Sequence, residues 1–365
     1  MQIVFRTDAS VQIGTGHVMR CLTLADALHL EGAECIFICR DHPGHLRDLI
    51  QQRGHHVQLL TAGEPLEIHN DKELLSHAAW LGTDWTRDAS DTQAAITPYA
   101  VDWLVVDHYA LDHRWERALR PFCQHVMVID DLADRTHDCD LLLDQNLGRS
   151  AENYRDLVPK HATTLVGPQY ALLRPEFSSL RQKSLARRKH PKLQHLLITF
   201  GGVDKNNLTG EVLETLRLCQ LPADLQITVV MGAHAPWVEQ VHAIANSMPL
   251  RTQVVINTNH MALLMADSDL CIGAAGGTAL EYCCLGLPSW VMATATNQHI
   301  GAGALQKKGA VLLLENPCDV KAIFERTHAS ASLPELLRQL SDAASSVTDG
   351  KGARLVLQAW EDFHA

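Results

Sequence analysis

Two glycine-bearing loops carry the residue types that could do chemistry in this chain. The first, Ile13-Gly14-Thr15-Gly16-His17, follows a short apolar run at residues 2–6 and precedes Val18, Leu22, Leu24, Ala25 and Leu28 at helical spacing. Gly14 and Gly16 remove side chains where backbone must pass close to a ligand or take a positive φ. His17 opens the helix, where the positive end of the dipole disfavours a second positive charge. A neutral imidazole there can accept a proton, which is the chemistry of a general base acting on water. A capping or core histidine is the alternative reading. The loop is not a dinucleotide GxGxxG, because no glycine closes it, and it lacks the Lys-Ser/Thr of a P-loop.

Arg20 lies on the same helical face as His17, where it could neutralise a pyrophosphate or pair with Asp8 at the end of the first strand. Asp107-His108-Tyr109 follows another apolar run, so Tyr109 could stack on or hydrogen-bond to a ligand, or simply pack its loop. The second loop, Gly276-Gly277-Thr278, precedes a helix and suits an anion received on backbone N–H groups. Glu281, three residues beyond Thr278, could accept the hydroxyls of a ribose, or form a capping box with Thr278. Asn297 and Gln298 add uncharged polar groups near the same place.

The elements that must position these loops are strands and helices in alternation. Apolar runs at 2–6, 35–39, 57–60, 103–106 and 125–129, with a helical pattern at 111–119, predict a parallel sheet covered by helices. The polar stretch 61–90 reads as an insertion over the cleft with a helix at 71–80, and Trp80 and Trp85 are expected to pack onto the lobe. Residues 182–192 turn basic and read as a linker. Beyond them the pattern restarts with strands at 196–200, 226–231, 253–256, 270–272 and 289–292 and helices at 208–218 and 236–245. The expected architecture is α/β, two Rossmann-like lobes with a cleft between them, at residues 1–185 and 193–365, the latter carrying terminal helices over 333–363 that could cross back to the first lobe. Ligands of such sheets bind at the carboxyl ends of the strands, where both glycine loops fall.

A chain of 365 residues, 46% apolar and 20% charged, has the composition of a globular protein of about two domains. Its net charge of −11 argues against nonspecific nucleic-acid binding, which needs a basic face. The absence of a long apolar segment or leader-like start predicts no membrane insertion and a cytoplasmic location. The ten cysteines include no CxxC pair and read as small buried hydrophobes, while the 21 histidines never take a metal-binding spacing and read as scattered surface residues. No metal or cofactor is expected, and the sequence says nothing of oligomeric state.

Taken together, Arg6-Thr7-Asp8, residues 13–22, Val106-Asp107-His108-Tyr109, residues 167–174 ending in Arg174, and the Gly-Gly-Thr helix with Glu281 resemble the UDP-2,4-diacetamido-2,4,6-trideoxy-β-L-altropyranose hydrolases of pseudaminic acid biosynthesis. The resemblance implies a glycosyltransferase-B fold used as a hydrolase: a UDP-sugar partner, water as acceptor, inversion at the anomeric carbon and no metal. It implies that His17 is the catalytic base, and that Gly276, Gly277, Thr278, Glu281, Asn297 and Arg174 contact uridine, phosphates and sugar. The tail after Asp319 carries no motif of the family. Two other readings share the same residues: a glycosyltransferase similar in layout to the lipid-linked muramyl-peptide N-acetylglucosaminyltransferases, and a nucleotide-sugar sensor that binds without reacting.

Overall fold

Parallel strands cannot be joined by tight turns, so each link between neighbours must cross back over the sheet, usually through a helix. The computed structural model, which describes residues 1–63, 75–233, 235–361 and 363, shows this arrangement twice, in two compact units. The first unit comprises Met1–Leu172 and Gly352–Ala365, the second Leu173–Lys351.

In the first unit β1 (Gln2–Thr7), α1 (Gly16–Leu30), β2 (Glu34–Arg40), α2 (Arg47–Gln52), β3 (His56–Leu60), α3 (Trp85–Ile96), β4 (Val101–Asp107), α4 (His113–Leu119), β5 (Cys123–Ile129), β6 (Leu141–Asp144) and β7 (Thr163–Val166) follow one another. Among the described residues these seven strands make one parallel sheet in the order β3-β2-β1-β4-β5-β6-β7. Both faces are covered, so the central strands are apolar without alternation. Ile3, Phe5, Trp103 and Val105 face a core shared with α1, whereas Val4, Leu104 and Val106 face another shared with Ala89, Ile96 and Trp115.

The second unit runs α5 (Pro175–Arg188), β8 (His195–Thr199), α6 (Leu208–Arg217), β9 (Gln226–Met231), α7 (Val238–Asn246), β10 (Thr252–Ile256), α8 (Met261–Asp267), β11 (Leu270–Ala274), α9 (Thr278–Leu285), β12 (Ser289–Met292), α10 (His299–Lys307), β13 (Leu312–Leu313), α11 (Asp319–Ala329) and α12 (Leu333–Ser345). Its parallel sheet has the order β10-β9-β8-β11-β12-β13. The last helix, α13 (Gly352–Glu361), belongs to the first unit, where Trp360 stacks on Trp103 at 4.9 Å. In each sheet the order reverses between the first strand and the fourth, β1 beside β4 and β8 beside β11. Loops diverge at such a switch point and leave room for a ligand at the strand ends.

Three expectations need correction. The boundary falls at Leu172 and Leu173, before the expected 185, and α13 is not part of the second unit. The basic run is no linker through Arg188, because it forms the last turns of α5. Arg188 is buried and donates to the carbonyls of Ser184, Met265 and Ser268, so its charge serves the open carbonyl end of α8. The helix expected at 71–80 begins outside the described residues; from residue 75 on, the chain forms a single 3-10 turn, Ala78–Leu81, before α3. The strands β6 and β7 had no counterpart in the sequence reading, their four residues each being too short for a period to register.

Candidate active site

The loop after β1 is shaped by Ser10 and Gly14. The Ser10 hydroxyl accepts from the N–H groups of Gln12 and Ile13 at 3.1 and 2.9 Å, and Gly14 N–H donates to the Ser10 carbonyl at 2.8 Å. Gly14 sits at φ +83°, a conformation that costs glycine nothing and other residues strain. The turn delivers Gly16 and His17 to the first turn of α1, where Thr15 is the N-cap without a side-chain cap.

His17 then meets the C-terminal residue of the neighbouring strand. Its Nδ1 lies 2.6 Å from Oδ1 of Asp107, whose side chain is fully buried. Burial by itself would raise the Asp107 carboxyl, but the Arg20 charge and the hydrogen bonds from Arg20 and His17 hold it well below the usual carboxylate range. An ionised carboxylate can only accept, so Nδ1 of His17 carries a proton and donates it, and in the neutral ring the lone pair lies on Nε2. In the sequence Asp107 is legible only as a strand-end residue.

Arg20 makes the arrangement rigid. Its Nε donates to Asp107 Oδ2 at 2.6 Å and its Nη2 to Asp107 Oδ1 at 2.7 Å, a bidentate fork, while Nη1 reaches Asp131 at 2.5 Å. The alternative pairing of Arg20 with Asp8 is not made. Asp8 is fully buried and takes Arg6 Nη1 at 2.7 Å and the Arg40 N–H at 2.6 Å on one oxygen, while its other oxygen faces His108 Nε2 at 3.3 Å. Arg20 thus pairs with two carboxylates, and Asp8 is wholly buried.

Asp131, which follows β5, completes the network, and nothing in the sequence marks it as a partner of Arg20. It accepts from the Tyr109 hydroxyl at 2.7 Å and from Asn146 Nδ2 at 2.8 Å, besides Arg20. The Tyr109 ring stands nearly perpendicular to His17 with centroids 4.5 Å apart, and burial followed by Asp131 pushes its hydroxyl well above the ordinary tyrosine value, so it stays protonated. Trp80 and His77 lie against the same rings. Packing was expected for both tryptophans: Trp85 lies under the Arg114 guanidinium and against the core, while Trp80 is half-buried beside His17. The signal for Asp131 was an Asp130-Asp131 pair at the end of an apolar strand, a carboxyl-edge position equivalent to that of Asp107.

Histidines are less superficial than expected. His17, His55, His108 and His137 are buried, and His55 and His137 pair with Asp26 at 2.8 Å and Glu116 at 2.7 Å. Most cysteines are buried, with Cys318 exposed.

In the second unit, β11 leads through Ala275, Gly276 and Gly277 into α9. Gly277 is the N-cap and no side chain caps the helix, so the Thr278–Glu281 capping box is not formed. The N–H groups of Gly276, Gly277 and Thr278 find no backbone acceptor among the described residues, and a Cβ on Gly277 would meet nothing within 4 Å. Gln298 closes one side: its Oε1 accepts from Thr294 N–H at 2.9 Å, which turns Nε2 toward Gly276. Asn297 lies in the same short turn, Thr296–Gln298. Glu281 keeps a fifth of its side chain exposed and stands 4.0 Å from Arg174, which also pairs with Glu176 at 3.0 Å. Burial, only partly offset by Arg174, pushes the Glu281 carboxyl up to about 7. The expected residues therefore form two groups: His17, Arg20 and Tyr109 in one unit, and Gly276, Gly277, Thr278, Glu281, Gln298, Asn297 and Arg174 in the other.

No protein-family model matches the chain. An uncharacterized protein of Methanocaldococcus jannaschii is 26% identical over 297 residues, covering 80% of this chain and 55% of its own length, so the chain spans about half of that relative. The UDP-2,4-diacetamido-2,4,6-trideoxy-beta-L-altropyranose hydrolase of Campylobacter jejuni is 24% identical over 309 residues, 85% of this chain and 97% of that one. The spore coat polysaccharide biosynthesis protein SpsG of Bacillus subtilis is 28% identical over 201 residues, 54% and 58% of the two chains. Among solved structures, MurG of Acinetobacter baumannii superposes with a TM-score of 0.68 at 16% identity, over 99% of each chain. The UDP-GlcNAc 2-epimerase of Neisseria meningitidis does so with a TM-score of 0.63 at 12% identity, over 99% and 100%. The chain is a homologue of the Campylobacter hydrolase and of Bacillus SpsG, built on the glycosyltransferase-B fold.

Proposed function

We propose that this protein is an enzyme acting on a UDP-linked sugar, and that its reaction is hydrolysis of a UDP-2,4-diacetamido-2,4,6-trideoxyhexose to the free sugar and UDP. The observation that carries the reading is the 2.6 Å contact between His17 Nδ1 and a buried, ionised Asp107. It fixes the tautomer in which Nε2 can take a proton, as a carboxylate does for the histidine of a catalytic triad. In the proposed step Nε2 removes a proton from water and the water oxygen bonds to the anomeric carbon. The bond from that carbon to the diphosphate oxygen breaks, and UDP leaves with the electron pair, so the anomeric configuration inverts. UDP is a good leaving group and needs little protonation, so a second carboxylate acid is not required. The uncapped amides of Gly276, Gly277 and Thr278 are suited to the diphosphate, and Glu281 to ribose hydroxyls. The name of the Campylobacter relative supports the sugar; nothing in the two sheets specifies it.

The test is UDP release from the diacetamido sugar nucleotide with no acceptor present, in heavy-oxygen water. Label in the free sugar and not in UDP is expected. Release that requires an added acceptor would make the protein a transferase. Replacing His17 by Asn should leave UDP binding intact and slow release at least about a hundredfold, the usual contribution of a general base. Binding without turnover in the unaltered protein would make it a sensor.

A further inference from the structure

The rings beside His17 go beyond that reading. The chain before α3 enters the site through the turn Ala78–Leu81, which is pinned by the fully packed Leu81 and by Gly82 at φ +70°. Trp80 is thereby set with its ring centroid 6.4 Å from that of His17 and 5.7 Å from that of Tyr109, nearly parallel to the tyrosine. His77 lies 4.4 Å from Trp80 and 5.3 Å from Tyr109. Burial, the largest influence on it, holds the His77 imidazole below its ordinary value, so it is an uncharged ring at neutral pH. Both side chains remain half-buried.

We infer that Trp80, backed by His77, forms a wall of the sugar subsite that selects a sugar presenting C–H and methyl groups over one presenting hydroxyls. The inference rests on the proposed hydrolysis. A reacting water must lie about 3 Å from His17 Nε2, and the sugar carbon it attacks lies just beyond. A sugar so placed falls within reach of an indole whose centre is 6.4 Å from the imidazole. A flat apolar ring cannot replace the water lost by a hydroxyl pressed against it, but packs well against a deoxy carbon or an acetamido methyl. Such a wall discriminates by about tenfold to a hundredfold, the range in which apolar surfaces sort ligands by small groups.

The experiment measures binding of UDP, UDP-N-acetylglucosamine and the UDP-diacetamido-trideoxyhexose to the full chain, unaltered and with Trp80→Ala, Trp80→Leu and Trp80→Phe. The unaltered protein is expected to bind the trideoxy compound at least about tenfold more tightly than UDP-N-acetylglucosamine. Trp80→Ala and Trp80→Leu should erase that ratio, Trp80→Phe should keep most of it, and the Kd for UDP should not move. If the alanine variant does not fold, the leucine variant carries the result. An unchanged ratio, or equal weakening toward all three ligands, would overturn the inference while leaving the hydrolysis reading intact. Failure of the unaltered protein to bind any of the three would overturn both.

Discussion

Asp107, the last residue of β4, holds His17 in the first turn of α1, while Asp8 at the end of β1 faces His108 just beyond β4. The two neighbouring strands thus exchange carboxylates and imidazoles across the switch point, where Thr7 and Asp107 are in register. His108 Nδ1 accepts from the Ala110 N–H at 3.1 Å, so this inner imidazole is turned to donate from Nε2 toward Asp8. The outer pair is left with its acceptor nitrogen available. Replacing Asp107 by Asn should therefore preserve the shape and spoil the chemistry, because an amide can present N–H to Nδ1 and favour the wrong tautomer. The expected loss in kcat is about a thousandfold to ten-thousandfold, with KM little changed. A loss smaller than tenfold would remove Asp107 from the mechanism.

Arg20 separates two roles that the sequence left open. If its role were only to neutralise a diphosphate, Arg20→Lys would keep that charge and leave both UDP binding and the rate of bound substrate nearly unchanged. The structure gives it a different task, forking onto Asp107 and bridging to Asp131. Lysine is a point charge and cannot reproduce the fork. The expected outcome is a kcat lowered by about tenfold or more, an unchanged Kd for UDP, and a lower thermal midpoint. Calorimetric titration of UDP alongside steady-state kinetics distinguishes the cases.

How much of this was readable beforehand follows from what kind of information each feature needs. The central strands and most helices of the second unit were legible because their apolar runs and helical spacing are local; the strands at Gln226–Met231 and Ser289–Met292 fall where the pattern put them. The His17 loop and the Gly276 loop were legible as positions. Their partners were not. Asp107 is 90 residues from His17 and Asp131 is 111 from Arg20, and only the β1-β4-β5 order brings them together. The same blindness misplaced the boundary, since the positive residues of α5 look solvated until the carbonyls of α8 are seen against Arg188.

Asp88 offers a stability prediction independent of any ligand. It is fully buried on α3 and receives Arg6 Nη2 and Arg40 Nη2, each at 2.6 Å, and the Trp115 indole N–H at 3.0 Å. Burial would raise its carboxyl, yet Arg6 and Arg40 outweigh that and hold it below the usual value. A carboxylate with a folded value below its unfolded one, about 3.9, stabilises fully above that pH and ceases to do so as pH falls toward the folded value. The first unit should therefore lose stability as pH drops below about 4. Asp88→Ala leaves two buried guanidiniums short of charge and should cost about 3 to 5 kcal/mol at neutral pH. Urea unfolding at pH 7 checks the cost. In the variant the acid-dependent part assigned to Asp88 should be missing, and an identical acid profile would refute the assignment.

Glu281 predicts the opposite pH behaviour, at the other loop. Its carboxyl is pushed up to about 7 chiefly by burial, so near neutrality a substantial fraction is uncharged in the free protein. A raised carboxyl favours the folded state most below its unfolded value and loses that contribution as pH rises through about 7, so Glu281→Gln should be tolerated and the protein slightly steadier at pH 8. Ligand binding runs the other way. If ribose hydroxyls donate to Glu281, they require its ionised form, and UDP binding must release a proton. The Kd for UDP should then fall by up to about tenfold between pH 6 and pH 8, because a group titrating in this interval changes its ionised fraction by that factor. The terminal phosphate of UDP titrates nearby and gives its own dependence in both proteins. The quantity to compare is the difference between the unaltered chain and Glu281→Gln, measured by calorimetry in two buffers of unlike ionisation enthalpy. Proton release that vanishes in the variant places the ribose on Glu281, and release that persists unchanged moves it elsewhere.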